Sequence, residues 1–104
     1  MCDVMPTIKE VQALVHGLEE SKNFGHELHQ KILWMTEELG ELVHAYKHND
    51  KFKIVEECID VLFFVGSILA IMGADGDEAF MKKLERNRAR EPVVRRGEFH
   101  FDKD

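Results

Sequence analysis

The sequence predicts an all-α fold, an antiparallel bundle of about four helices that is completed by oligomerisation. Three observations point there. Apolar residues recur at helical spacing in four segments separated by polar breaks; nearly nothing alternates with the period of a strand; and one of the four segments is apolar on almost every side. At 104 residues and 44% hydrophobic content, the chain has room for one core and one domain, residues 1–104.

The elements follow in order. Ile8, Val11, Leu14, Val15 and Leu18 repeat at i, i+3, i+4 and i+7 behind the start signals Pro6 and Thr7, which predicts a first helix closing near Asn23 to Gly25. A second helix is expected from about Glu27 to Lys47, with Leu28, Ile32, Leu33, Met35, Leu39, Leu42, Val43 and Tyr46 as its stripe. It ends at the polar turn "KHND". The third, from about Lys51 to Met72, is apolar all round beyond Asp60, and a 104-residue chain has few elements to surround it, so a subunit interface is the expected cover. "GADGD" breaks the chain, and Asp77 is the expected cap of a fourth helix that runs to Pro92. The tail, 93–104, has no helical period and is expected to be irregular; Glu98 to Phe101 alternate, but the run is too short to build a sheet alone. Short loops between long helices favour a bundle.

Charge and cysteine usage narrow the function. A net charge of −6 argues against nucleic-acid binding, which draws on clustered Lys and Arg. The longest apolar run, Ile59 to Met72, is interrupted by Asp60, Gly66 and Ser67 and is too short for a bilayer span; the start "MCDVMPTIKE" lacks the basic and apolar regions of a signal peptide. No membrane partner is expected. Cys2 and Cys58 form neither a disulfide framework nor a zinc spacing, which suits a reducing cytoplasm. Cys58, in an apolar run, is expected to be a small buried hydrophobe.

The chemistry concentrates in the carboxylates. Glu38 and Glu41 are three apart and share a helix face, and Glu57 and Asp60 repeat the spacing on the next helix. Glu41 and Glu57 each lie about eight residues, or roughly 12 Å, from the turn at Asn49, so antiparallel helices set Glu41 opposite Glu57 and Glu38 opposite Asp60. Four carboxylates at one level repel one another and persist as ions only around a cation; their all-oxygen set selects a hard ion such as Mg²⁺, which partners phosphates. A solvated acidic stripe is the alternative reading. Glu37, about 40° around the helix from Glu41, suits a second metal or the orientation of a water.

Lys83, Asn87 and Arg90 align at i, i+4 and i+7 on the fourth helix, where they suit phosphate oxygens or simply complement the helix dipole. Trp34, one turn before the acids, is a base-stacking candidate or a core residue. His16, His26, His29, His48 and His100 show no convergent ligand spacing. His44 makes one Glu-x-x-His pair with Glu41, but a carboxylate-bridged di-iron bundle needs a second.

Together "EELGE" (37–41), "EECID" (56–60) and "KLERNRAREP" (83–92) resemble the MazG-like all-α nucleoside triphosphate pyrophosphohydrolase superfamily, over about residues 27–92. That resemblance implies a bundle that forms a homodimer or homotetramer, with Mg²⁺, or Mn²⁺ in its place, at Glu38, Glu41, Glu57 and Asp60. It implies hydrolysis of an NTP or dNTP to the monophosphate and pyrophosphate. In that scheme Glu37 or Glu41 takes the water's proton, and Lys83, Asn87 and Arg90 lie near the phosphates. Glu91 stands where many relatives have an aromatic, and the tail runs past the usual motif. A phosphoribosyl-ATP pyrophosphohydrolase shares the acidic arrangement. A helical dimerisation or regulatory module with no activity is the rival from another class.

Overall fold

The computed structural model describes residues 5–95 and 97–101; for 92–95 and 98–101 it describes the backbone. Four helices run Ile8–Ser21 (α1), Leu28–Lys47 (α2), Lys51–Ile71 (α3) and Gly76–Ala89 (α4), followed by strands Pro92–Arg95 (β1) and Glu98–Phe101 (β2). The all-α expectation holds for the body of the chain.

Three of the helices start where a side chain satisfies their first amides; α2, which follows Glu27, has no such cap. Thr7 caps α1 in a reciprocal capping box: its hydroxyl accepts from the Glu10 N–H at 3.1 Å, and the Glu10 carboxylate accepts from the Thr7 N–H at 3.0 Å. Asp50 caps α3 through the Lys53 N–H at 3.1 Å, directly after Asn49 turns the chain at φ 54°. That short turn folds α3 back antiparallel along α2, the most extensive packing in the chain. α1 lies across α3, where Gly66 lets Val11 and Val15 approach the helix backbone.

The cap of α4 differs from expectation. Asp75, not Asp77, accepts from the amides of Asp77 and Glu78, at 3.1 and 3.2 Å, because the helix already begins at Gly76. Asp77 instead accepts from the Lys9 N–H at 3.1 Å, tying α4 to the start of α1. Buried Gln12 completes the joint: its amide donates to the Ala74 carbonyl and accepts from the Gly76 N–H, both at 2.8 Å. A Cβ on Gly76 would run into Gln12 and Ile8, so this joint requires glycine.

The tail is also more ordered than expected. β1 and β2 pair antiparallel with Pro92 opposite Phe101 and Arg95 opposite Glu98, and Gly97 takes φ 79° in the connection. The alternation at Glu98 to Phe101 was too short to build a sheet alone; a second strand from "PVVR" supplies the missing partner. Residues 102–104 of the expected irregular tail, and Cys2, lie outside the described residues.

Little large apolar surface is buried. Val15 and Ala45 are the buried hydrophobic residues among those described, while Val43, Tyr46, Val55, Ile59 and Leu62 stand exposed along α2 and α3. Cys58 is exposed as well, contrary to its expected burial, because it lies on this outward face of α3. On α1 the buried face is Gln12, Val15 and Glu19, which leaves Leu14 and Leu18 outside.

Candidate active site

The i, i+3 spacing of Glu57 and Asp60 on α3 brings both carboxylates to Glu38 on α2, and one oxygen from each of the three lies within 4.8 Å of the others. Glu57 is buried, Glu38 half-buried and Asp60 exposed, so the group opens to solvent on one side. The Oε2 of Glu57 is buried with no hydrogen-bond donor among the described residues, and Lys53 Nζ lies 3.9 Å from its other oxygen. Ionised carboxylates accept but cannot donate, so the cluster needs either a proton or a cation. The proton option is visible at Glu38, whose carboxyl is pushed up to about 7. The chief cause is a hydrogen bond shared with Glu57; partial burial follows, then the negative charges of Glu57, Asp60 and Glu41.

Glu41 does not join the three. It is exposed and lines a neighbouring hollow of about 270 Å³ with His44, His48, Asp50, Lys53 and the far side of Glu57. Three residues along a helix rotate a side chain by about 60°, enough to turn Glu41 out of the seam that holds Glu38. Its expected pairing with Glu57 therefore survives only as a shared wall. Glu37 is exposed. The three-carboxylate set fits a hard divalent cation: all donors are oxygen, Glu57 has an unused buried lone pair, and the open side leaves room for water and phosphate.

Lys83, Asn87 and Arg90 are not brought to these acids within one chain. α4 packs on α1 through the Gln12 joint, and neither hollow beside the acids takes a residue from it. Lys83 is exposed, and Arg90 Nη1 donates to Asn87 Oδ1 at 3.1 Å, so the stripe holds its own shape.

A cavity of about 290 Å³ opens beside the acids between α1, α2 and α3. Glu38 and Asp60 form its rim, Trp34, Phe63 and Phe64 its walls, and Glu19 and Lys31 its floor. The order follows from helical spacing: Lys31, Trp34 and Glu38 lie at i, i+3 and i+7 on α2, while Asp60, Phe64 and Ser67 lie at i, i+4 and i+7 on α3. Antiparallel packing stacks these into an acidic level, an aromatic level and a polar level. The Trp34 and Phe64 ring centroids are 6.4 Å apart, and Trp34 is 41% exposed, a cavity wall rather than a core residue. At the polar level Lys31 forms an ion pair with Glu19, whose other oxygen accepts from the Ser67 hydroxyl at 2.8 Å; all three residues are buried.

This polar level escapes a reading by apolar periodicity. Its trace in the sequence is a pair of charged residues at core positions, Glu19 one turn after Val15 and Lys31 one turn before Met35. The histidine reading is corrected too. His16 and His26 stack at 4.8 Å, and both Nε2 atoms lie 3.3 Å from one Glu20 oxygen, because the turn after α1 folds His26 back against it. His44 is exposed and lies with its ring 4.2 Å from that of His48.

No helix among the described residues is long and apolar enough to cross a membrane. Comparison with curated proteins gives no match. The family model for the MazG nucleotide pyrophosphohydrolase domain matches residues 26–95, from the turn before α2 to the end of β1, and the chain belongs to that family.

Proposed function

From this family membership we propose that the protein is a Mg²⁺-dependent nucleoside triphosphate pyrophosphohydrolase that cleaves an NTP or dNTP between its α and β phosphates. The observation that carries the proposal is the convergence of Glu38, Glu57 and Asp60 around a buried oxygen with no donor. Mg²⁺, or Mn²⁺ in its place, held by these three and by Glu41 where it swings inward, would neutralise triphosphate charge and acidify a water. On this reading Glu41, solvent-accessible beside the cluster, would accept that water's proton when it is not itself a ligand, with Glu37 one turn back as the other candidate base. Trp34 offers its ring to the base.

An assembly supplies what one chain lacks. The exposed apolar residues of α2 and α3 form a face suited to a second copy, and the radius of gyration, 16.3 Å, exceeds the roughly 13 Å of a compact domain of this length. We therefore favour a homodimer or homotetramer in which Lys83, Asn87 and Arg90 of one copy meet the phosphates held by another. Exposed Cys58 and a nucleotide substrate suit a reducing cytoplasm.

The test is Mg²⁺-dependent pyrophosphate release from a panel of NTPs, dNTPs and phosphoribosyl-ATP, with Glu38→Gln as control. Release from an NTP or dNTP that the variant abolishes is the expected result. Release from phosphoribosyl-ATP alone would move the assignment to that reaction, and no release from any substrate would leave a helical module.

A further inference from the structure

The polar floor of the 290 Å³ cavity has no part in the phosphate chemistry, yet Lys31 and Ser67 are the most buried polar side chains among the described residues. Lys31 is 1% exposed, Ser67 1% and Glu19 7%. Placing an ammonium and a carboxylate beneath an apolar cavity costs more than an aliphatic floor would, so the arrangement calls for a use. Its hydrogen bonds show what it offers. Glu19 has one oxygen committed to Ser67 and the other to Lys31, whereas the Lys31 ammonium has three N–H groups, of which Glu19 is the hydrogen-bond acceptor for one among the described residues. The cavity floor therefore presents donors. The ammonium is also fixed in place, 5.7 Å from the Trp34 ring centroid and within cation–π reach.

The position of these donors suits a nucleotide whose phosphates lie at the acids. Lys31 stands seven residues, about 10 Å, from Glu38 along one face of α2, with Trp34 between them. A nucleoside monophosphate is of comparable length from its phosphorus to the base edge farthest from the sugar. A base lying along Trp34 thus ends at the Lys31 ammonium. On the nucleotide reading given above, we infer that Lys31 reads that far edge, favouring bases that carry a carbonyl oxygen there (uracil, thymine and guanine) over those that carry an amine (cytosine and adenine). A carbonyl accepts from the ammonium in a desolvated, charge-assisted hydrogen bond; an amine meets it donor to donor and leaves both unsatisfied.

The experiment separates this inference from the reaction itself. Trp34 is the sole tryptophan, so quenching of its fluorescence by UMP, GMP, CMP and AMP reports on the cavity with no turnover needed. The expected result is at least about tenfold tighter binding of UMP and GMP than of CMP and AMP, the ratio one charge-assisted hydrogen bond sustains. The same ratio should appear in kcat/KM for the matching triphosphates. In the double variant Glu19→Leu/Lys31→Met, which removes both charges together, the ratio should fall to about one. Lys31→Gln, whose amide both donates and accepts, should also collapse it. Equal binding of all four monophosphates by the unaltered protein, or an unchanged ratio in a folded variant, would overturn the role of Lys31. Monophosphate selectivity without pyrophosphate release would instead sink the pyrophosphohydrolase reading and leave the base reader standing.

Discussion

Proton release on Mg²⁺ binding gives the sharpest check on the acidic cluster. Without a cation the Glu38 carboxyl holds its proton up to about pH 7, principally through its hydrogen bond to Glu57. A cation needs that carboxylate ionised, so binding must expel whatever proton is present. For an apparent value of about 7 the protonated fraction is about 0.9 at pH 6, 0.5 at pH 7 and 0.1 at pH 8. Titration of Mg²⁺ into the protein by calorimetry, in two buffers of different ionisation enthalpy, counts those protons directly. The expected release is about one proton per site at pH 6 and close to none at pH 8. Glu57→Gln removes the largest cause of the shift and should cut the pH 6 value well below that of the unaltered protein. Mg²⁺ binding at pH 6 with no proton release would refute the cluster as its site.

The same shift sets the pH dependence of stability without metal. The folded-state value of Glu38 lies above its ordinary 4.5, so the native state binds more protons than the unfolded chain between those values. Its contribution is therefore fully present below about pH 4.5 and is lost as pH rises through about 7. Metal-free protein should lose more thermal stability than Glu38→Gln between pH 5.5 and 8, since glutamine does not titrate. Saturating Mg²⁺ should remove that loss by taking the proton's place. Parallel melting curves for the two proteins would contradict the assignment.

Other parts of the molecule give further outcomes. Lys31→Met alone leaves the Glu19 carboxylate buried without its cation and should cost about 3–5 kcal/mol in chemical denaturation, most of it recovered in Glu19→Leu/Lys31→Met. Gly76→Ala places a methyl against Gln12 and Ile8 and should destabilise by about 1–3 kcal/mol in the same assay. Thr7→Ala removes the capping box of α1, an expected loss of about 1 kcal/mol. Val55→Asp sets a charge in the exposed apolar face of α3, so if that face joins two copies as proposed, sedimentation should show a smaller species than the unaltered protein; no change, or an unaltered protein that is already monomeric, would overturn the assignment of this face to a subunit interface.

The helices were legible because their signals are local. Thr7, Asp50 and the breaks at "KHND" and "GADGD" fix helix ends through bonds to amides two or three residues away, and apolar spacing supplies the rest. The α4 cap shows the limit of such signals. Asp75 and Asp77 are equally good caps by type, and the choice between them falls to Gln12, sixty-four residues before Gly76, whose amide binds that residue's N–H. The hairpin failed for a related reason: the pairing of Val93 with His100 has no precursor in either four-residue segment alone.

At the site, spacing along a helix predicts which residues share a face but not which face the neighbouring helix takes. Glu38 and Glu41 are equivalent candidates by sequence; packing of α3 on the Glu38 side makes one a member of the cluster and turns the other toward His44 and Lys53. The buried polar residues are a stronger case, because apolar periodicity marks Gln12 at the α4 joint, and Glu19 and Lys31 at the polar level, as errors in their stripes. Each is correct once its partner is known, and the partners come from other elements: Ala74 and Gly76 for Gln12, Ser67 and Lys31 for Glu19. A charged residue that breaks an apolar stripe is thus informative in a bundle. It must either be rescued by a distant partner of opposite charge or face a ligand; Glu19 is the partner that rescues Lys31, and its place at the floor of an open cavity is what the inferred base contact would use.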